Sequence, residues 1–137
     1  MFDWTLFLEL AEELAGRPSS DNKAEACWRS STSRAYYAAF HVVKDYVCDY
    51  DANFNPPNEK VHSALLEYAT TKLSKCREHK QIGETLKRLR VDRNLADYTR
   101  NPIKVISQAA SQLHVRDARR VLSCVESMRA SRGSPSP

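Results

Sequence analysis

Glycine is scarce in this 137-residue chain, at 3 residues, and proline is limited to 6. That excludes collagen-like and Pro/Gly-rich low-complexity architectures. Long apolar runs are also missing: the longest, Ala35 to Phe40 with Val42 and Val43 beyond His41, falls far short of the roughly 20 residues a membrane span needs. No membrane partner is expected. Asp3, Glu9, Glu12 and Glu13 precede the first Lys or Arg, the reverse of a secretory leader, so the expected location is the cytoplasm.

Cysteine is present but unpatterned. Cys27, Cys48, Cys76 and Cys124 include no Cys-x-x-Cys pair, and His41, His62, His79 and His114 show no i, i+3 or i+4 pairing. They read as reduced thiols and isolated histidines, with no metal and no cofactor expected.

What is present is a charge asymmetry hidden in a net +4. Residues 1–71 hold 6 Lys or Arg against 11 Asp or Glu, a net −5, whereas residues 72–137 hold 15 against 6, a net +9. The basic half is either a polyanion-binding surface or a solvated face of helices.

Apolar residues recur at helical spacing nearly everywhere, which predicts an all-α fold: a single up-and-down bundle of four to five helices over residues 1–130, with 131–137 (SRGSPSP) a disordered tail. A first helix runs from a cap at Asp3 through Trp4, Phe7, Leu10 and Leu14 to Gly16. Ser20 or Asp21 caps a long central helix reaching Tyr50, whose apolar sector covers more than half its circumference, so it must pack against more than one neighbour. Asn58 caps a third helix. A fourth starts at about His79 or Glu84 and ends near Asp97 or Tyr98, before Asn101-Pro102. The last starts within 103–115 and reaches about Ala130.

The fourth helix carries the sharpest anomaly. Ile82, Leu86, Leu89 and Ala96 define an apolar stripe, yet Arg93 falls near its centre with Asp97 one turn on and Arg90 and Asn94 alongside. A guanidinium in a buried stripe is costly unless paired. It is either a structural ion pair or part of a polar site. On the second helix Arg34, Tyr37 and His41 share a face at i, i+3 and i+7. If the two helices are neighbours, Arg34, Tyr37, His41, Arg93, Asn94, Asp97 and Tyr98 meet in one cleft.

The segments Ser33 to His41 (SRAYYAAFH) and Leu89 to Tyr98 (LRVDRNLADY) together resemble the HEPN superfamily, over roughly Trp4 to Met128. His62, at the start of the third helix, also resembles a position where such proteins often place a histidine. The resemblance implies a small helical bundle that forms a homodimer with its fourth-helix motifs facing. It also implies kinship with RNA-cleaving toxins and defence effectors, in which an Arg followed by a His after four to six intervening residues makes a metal-independent ribonuclease site.

Here Tyr98 stands where that histidine is expected, so the order Arg-Asn-x-Ala-Asp-Tyr resembles a divergent branch. Two functions follow as expectations. One is an RNA-directed protein of a prokaryotic toxin–antitoxin or antiphage system, with Arg93, Asn94, Asp97, Tyr98 and His41 catalytic and Arg34, Tyr37 and Arg90 binding RNA or nucleotide. The other is an inactive module that uses the same cleft for nucleotide, RNA or a nucleotidyltransferase-like partner.

Overall fold

The computed structural model describes residues 2–73, 77–100 and 106–132. Five α-helices follow one another: α1 (Thr5–Ala15), α2 (Ala24–Tyr50), α3 (Val61–Thr71), α4 (Arg77–Tyr98) and α5 (Gln108–Arg132), with a short 3-10 turn at Asn58–Lys60. No strand occurs among the described residues.

The broad apolar sector of α2 places that helix at the centre. It packs against α1, α4 and α5, while α3 lies on α4. Small residues Ala35, Ala38 and Ala39 are fully buried and let the neighbours approach closely, and Tyr36, Phe40, Val43, Tyr46 and Val47 fill the spaces between them. Leu8 and Ala11 from α1, Leu65 and Leu66 from α3, Ile82, Leu86 and Leu89 from α4, and Val121, Val125 and Met128 from α5 complete one continuous core.

The helix ends show where local chemistry acts. Asp3 Oδ1 accepts hydrogen bonds from both the backbone N–H (3.0 Å) and the hydroxyl (2.6 Å) of Thr5, tying down the start of α1. Asp21 Oδ1 accepts from the Lys23 N–H at 2.8 Å just before α2. Several boundaries differ from expectation: Trp4, not Asp3, is the N-cap of α1, and α2 begins at Ala24 with Lys23, not Ser20 or Asp21, at its N-cap. Asn58 opens a 3-10 turn, and α3 proper begins at Val61. Helix α4 starts at Arg77, upstream of His79. Helix α5 continues through Ser131 and Arg132, because Arg129 and Arg132 lie over the Tyr46 and Tyr50 rings and Arg132 donates to the Tyr46 hydroxyl at 3.0 Å. The rest of the expected tail, 133–137, and Cys76 lie outside the described residues.

Two buried polar connections lock α4 to its neighbours. His114 on α5 sits 2.8 Å from the Thr32 hydroxyl on α2 through Nδ1 and 3.0 Å from Asp92 on α4 through Nε2, and all three residues are buried. One residue further along α2, the Ser33 hydroxyl donates to Asp97 Oδ2 on α4 at 3.1 Å. Together they fix the height and rotation of α4 against α2, and so the position of Arg93.

Candidate functional site

Arg93 is 7% exposed, in the middle of the α4 stripe as the wheel placed it. Three tyrosines surround its guanidinium: ring centroids of Tyr36, Tyr37 and Tyr98 lie 5.3, 5.2 and 5.9 Å from Cζ. Each such contact is worth roughly 0.5–2 kcal/mol, more when desolvated. Asp97 stands 3.9 Å away, close enough to compensate charge but too far for a strong hydrogen bond. The guanidinium is therefore housed without being saturated. Nε–H of Arg93 and Nε–H of Arg90 are buried donors with no partner in the structure. Leaving such a donor unsatisfied costs roughly 1–3 kcal/mol, and more for a charged group, which makes these two positions an exception calling for a function.

His62, from the first turn of α3, enters the same cluster. Its ring stacks on Phe40 with centroids 4.1 Å apart and lies 5.8 and 6.2 Å from the rings of Tyr36 and Tyr37, which also contact Arg93. Its Nδ1 is 2.7 Å from the Tyr36 hydroxyl. Burial pushes Tyr36 up to about 12 despite the nearby charges of Arg90 and Arg93, so the phenol keeps its proton. Either ring tautomer satisfies that contact, because a phenol both donates and accepts. Burial first, then the charges of Arg90, Arg93, His41 and Lys44, hold His62 down at about 4. It is a neutral imidazole at pH 7.

His41 stacks face to face on Trp4 at 3.7 Å and lies 6.1 Å from the Tyr37 ring. Trp4 is fixed in turn by donating Nε1–H to Asp45 at 3.1 Å. Burial, then Lys44, lowers the basicity of His41 as well, so it too stays neutral at pH 7.

Arg93, Asp97, Tyr98, Tyr37 and Arg90 thus belong to one neighbourhood between α2, α3 and α4, and His41 lies at its α1 edge, stacked on Trp4 and 6.1 Å from the Tyr37 ring. Asn94 is next to Arg93 but exposed. Arg34 is placed on the α1 side instead, 5.2 Å above the Phe7 ring, because the α2 face it shares with His41 is the one α1 approaches. Reading from the residues alone misses Tyr36, whose fully buried ring looks like ordinary core, and reaches His62 only through the resemblance. Their pairing spans 26 positions and leaves no local signature.

A cavity of about 1020 Å³ lies elsewhere, lined by Tyr46, Tyr50, Tyr68, Arg88 and Arg132 among others. Several of its polar groups are already engaged: Arg88 with Asp117 at 3.6 Å, Tyr68 with Asp51 at 2.7 Å, and Arg132 with Tyr46. The orphaned donors are at Arg90 and Arg93, which makes theirs the better candidate. Among the described residues no group of three or more His, Cys, Asp or Glu side chains is disposed to hold a metal ion, and no helix is long and apolar enough to cross a membrane.

The family model described as the HEPN domain matches residues 17–131. Comparison with curated proteins and with solved structures returns no match.

Proposed function

Because the chain belongs to the HEPN domain family, we propose that the Arg90–Arg93 cluster binds an RNA phosphodiester. We further propose that the protein is a metal-independent endoribonuclease of the kind found in prokaryotic toxin–antitoxin or antiphage systems. The observation that carries this reading is the pair of buried guanidinium N–H groups without acceptors. A cluster rich in donors and poor in acceptors suits a ligand that only accepts, and a phosphodiester offers two anionic oxygens to guanidinium groups.

Cleavage requires one group to take the 2′-hydroxyl proton as that oxygen attacks phosphorus, and a proton to reach the departing 5′-oxygen. Tyr98, where the family resemblance leads one to expect histidine, is a weak base at neutral pH. His62 is engaged by Tyr36 through Nδ1 and held down at about 4, so it is a poor proton acceptor. His41 is the neutral imidazole left to accept the proton and return it to the leaving oxygen. Asp97 holds Arg93 in place and Asn94 lies at the edge of the site.

Purified protein incubated with an RNA pool and excess chelator is expected to give products ending in 2′,3′-cyclic phosphate. His41→Ala is expected to keep RNA binding while losing cleavage by about a hundredfold or more, the usual contribution of a general acid–base group. Absence of cleavage by the folded wild type, with binding intact, would replace this reading with the second: a binding module for RNA or a partner protein, which the Tyr98 replacement favours.

A further inference from the structure

Tyr98 is 77% exposed, an unusual setting for a large aromatic side chain. It is the last residue of α4, and its ring touches the same guanidinium that holds the proposed phosphate. The backbone beneath it is not a frayed helix end. Arg29 from α2 reaches across and donates from Nη1 to the carbonyls of Ala96 (3.1 Å) and Thr99 (2.8 Å) and from Nη2 to that of Arg100 (3.4 Å), satisfying carbonyls that a helix C-terminus leaves open. Thr99 N–H also bonds the Leu95 carbonyl at 3.2 Å. A flat aromatic ring is therefore presented to solvent from an anchored backbone beside a cationic pocket, which is a combination that binds unpaired nucleotides.

We infer that Tyr98 is a stacking platform for the nucleobase adjoining the phosphate at Arg93, so that the ligand is single-stranded RNA. This inference rests on the phosphate reading above. The base and phosphate of one nucleotide are joined through a single sugar, so a ring 5.9 Å from the guanidinium carbon is placed to serve the base whose phosphate Arg93 holds. In a duplex both faces of each base are already stacked, and A-form geometry hides the bases from side chains. An unpaired base has a free face, and since every base has one, the contact selects for strandedness with little regard to sequence. Tyr98 then contributes a surface, not a proton.

The test uses a short single-stranded oligonucleotide, 2′-O-methylated so that it cannot be cleaved and carrying one 2-aminopurine, and the same strand annealed to its complement. Wild type, Tyr98→Phe, Tyr98→Ala and Arg93→Ala are titrated with each, and their oligomeric state is followed by sedimentation. Wild type and Tyr98→Phe should quench 2-aminopurine and prefer the single strand. Tyr98→Ala should bind it about five- to a hundredfold more weakly, lose the quench and lose the preference over duplex.

Wild-type affinity and quench in Tyr98→Ala would overturn the inference. So would loss of self-association in Tyr98→Ala with the quench retained, because Val91 (60% exposed) and Asn94 share the face of Tyr98 and would then mark a protein interface. Loss of function in Tyr98→Phe would show that the hydroxyl matters and equally reject a platform role. If wild type binds neither strand, or Arg93→Ala binds as tightly as wild type, the phosphate reading itself fails, a result distinct from the others.

Discussion

Arg93 illustrates how one side chain can be read as misplaced and then understood. Burying a guanidinium among Tyr36, Tyr37 and Tyr98 with Asp97 only at 3.9 Å leaves a charge that is tolerated, not saturated. Replacement by leucine removes three ring contacts and leaves Asp97 without its ion-pair partner, so it should cost about 1–3 kcal/mol while the fold is kept, and chemical denaturation checks this. His62 supplies a pH dependence at the same scale. Its value near 4 lies below the 6.5 of an unfolded chain, so the unfolded state binds its proton first and stability should fall as pH drops from about 6.5 toward 4. His62→Gln removes that proton site and should flatten the denaturation midpoint across this window. Of the residues in the cluster, Arg93 was visible in the sequence because a charge inside an apolar stripe breaks a pattern. Tyr36 broke none, and the Tyr36–His62 contact depends on how α3 comes to rest on α2 and α4.

At the scale of elements, α4 is the part that must be held true, and its neighbours hold it by specific means. Gly83 is packed so closely on α3 that a Cβ there would lie 2.5 Å from Thr70 Cγ2, 2.8 Å from the Thr70 nitrogen and 2.9 Å from the Ala69 carbonyl carbon. Two of these are backbone atoms that cannot swing aside. Gly83→Ala should cost about 1–3 kcal/mol through overpacking and, by pushing α3 off α4, separate His62 from Arg90 and Arg93; thermal unfolding and RNA affinity should fall together. His114→Ala removes the imidazole joining α2 to α4 and opens a hole in the core. A loss of about 3 kcal/mol is expected, read by denaturant titration. The helices themselves were legible in the apolar spacing of residues such as Leu86 and Leu89. The Thr32–His114–Asp92 chain was not, since its members sit on three helices and His114 looked isolated along the sequence.

For the whole molecule, we propose that the asymmetry between a net −5 over residues 1–71 and a net +9 over residues 72–137 lets the basic half attract polyanions. Affinity for single-stranded RNA should fall as salt rises, with log K against log salt sloping by about −0.7 for each phosphate neutralised, and Arg93→Ala should reduce that slope by about 0.7. We also propose that the protein is a homodimer with α4 of each protomer facing the other, as the family resemblance implies, and sedimentation equilibrium tests it. The most direct measurement is the affinity of wild type and Arg93→Leu for a single-stranded RNA at low salt in excess chelator, both proteins being matched for folding and oligomeric state. Binding weakened about tenfold or more in Arg93→Leu, with the folded state still fully populated, is the expected result. Equal affinity would contradict the assignment of Arg93 to a phosphate and return it to the role of a packing device.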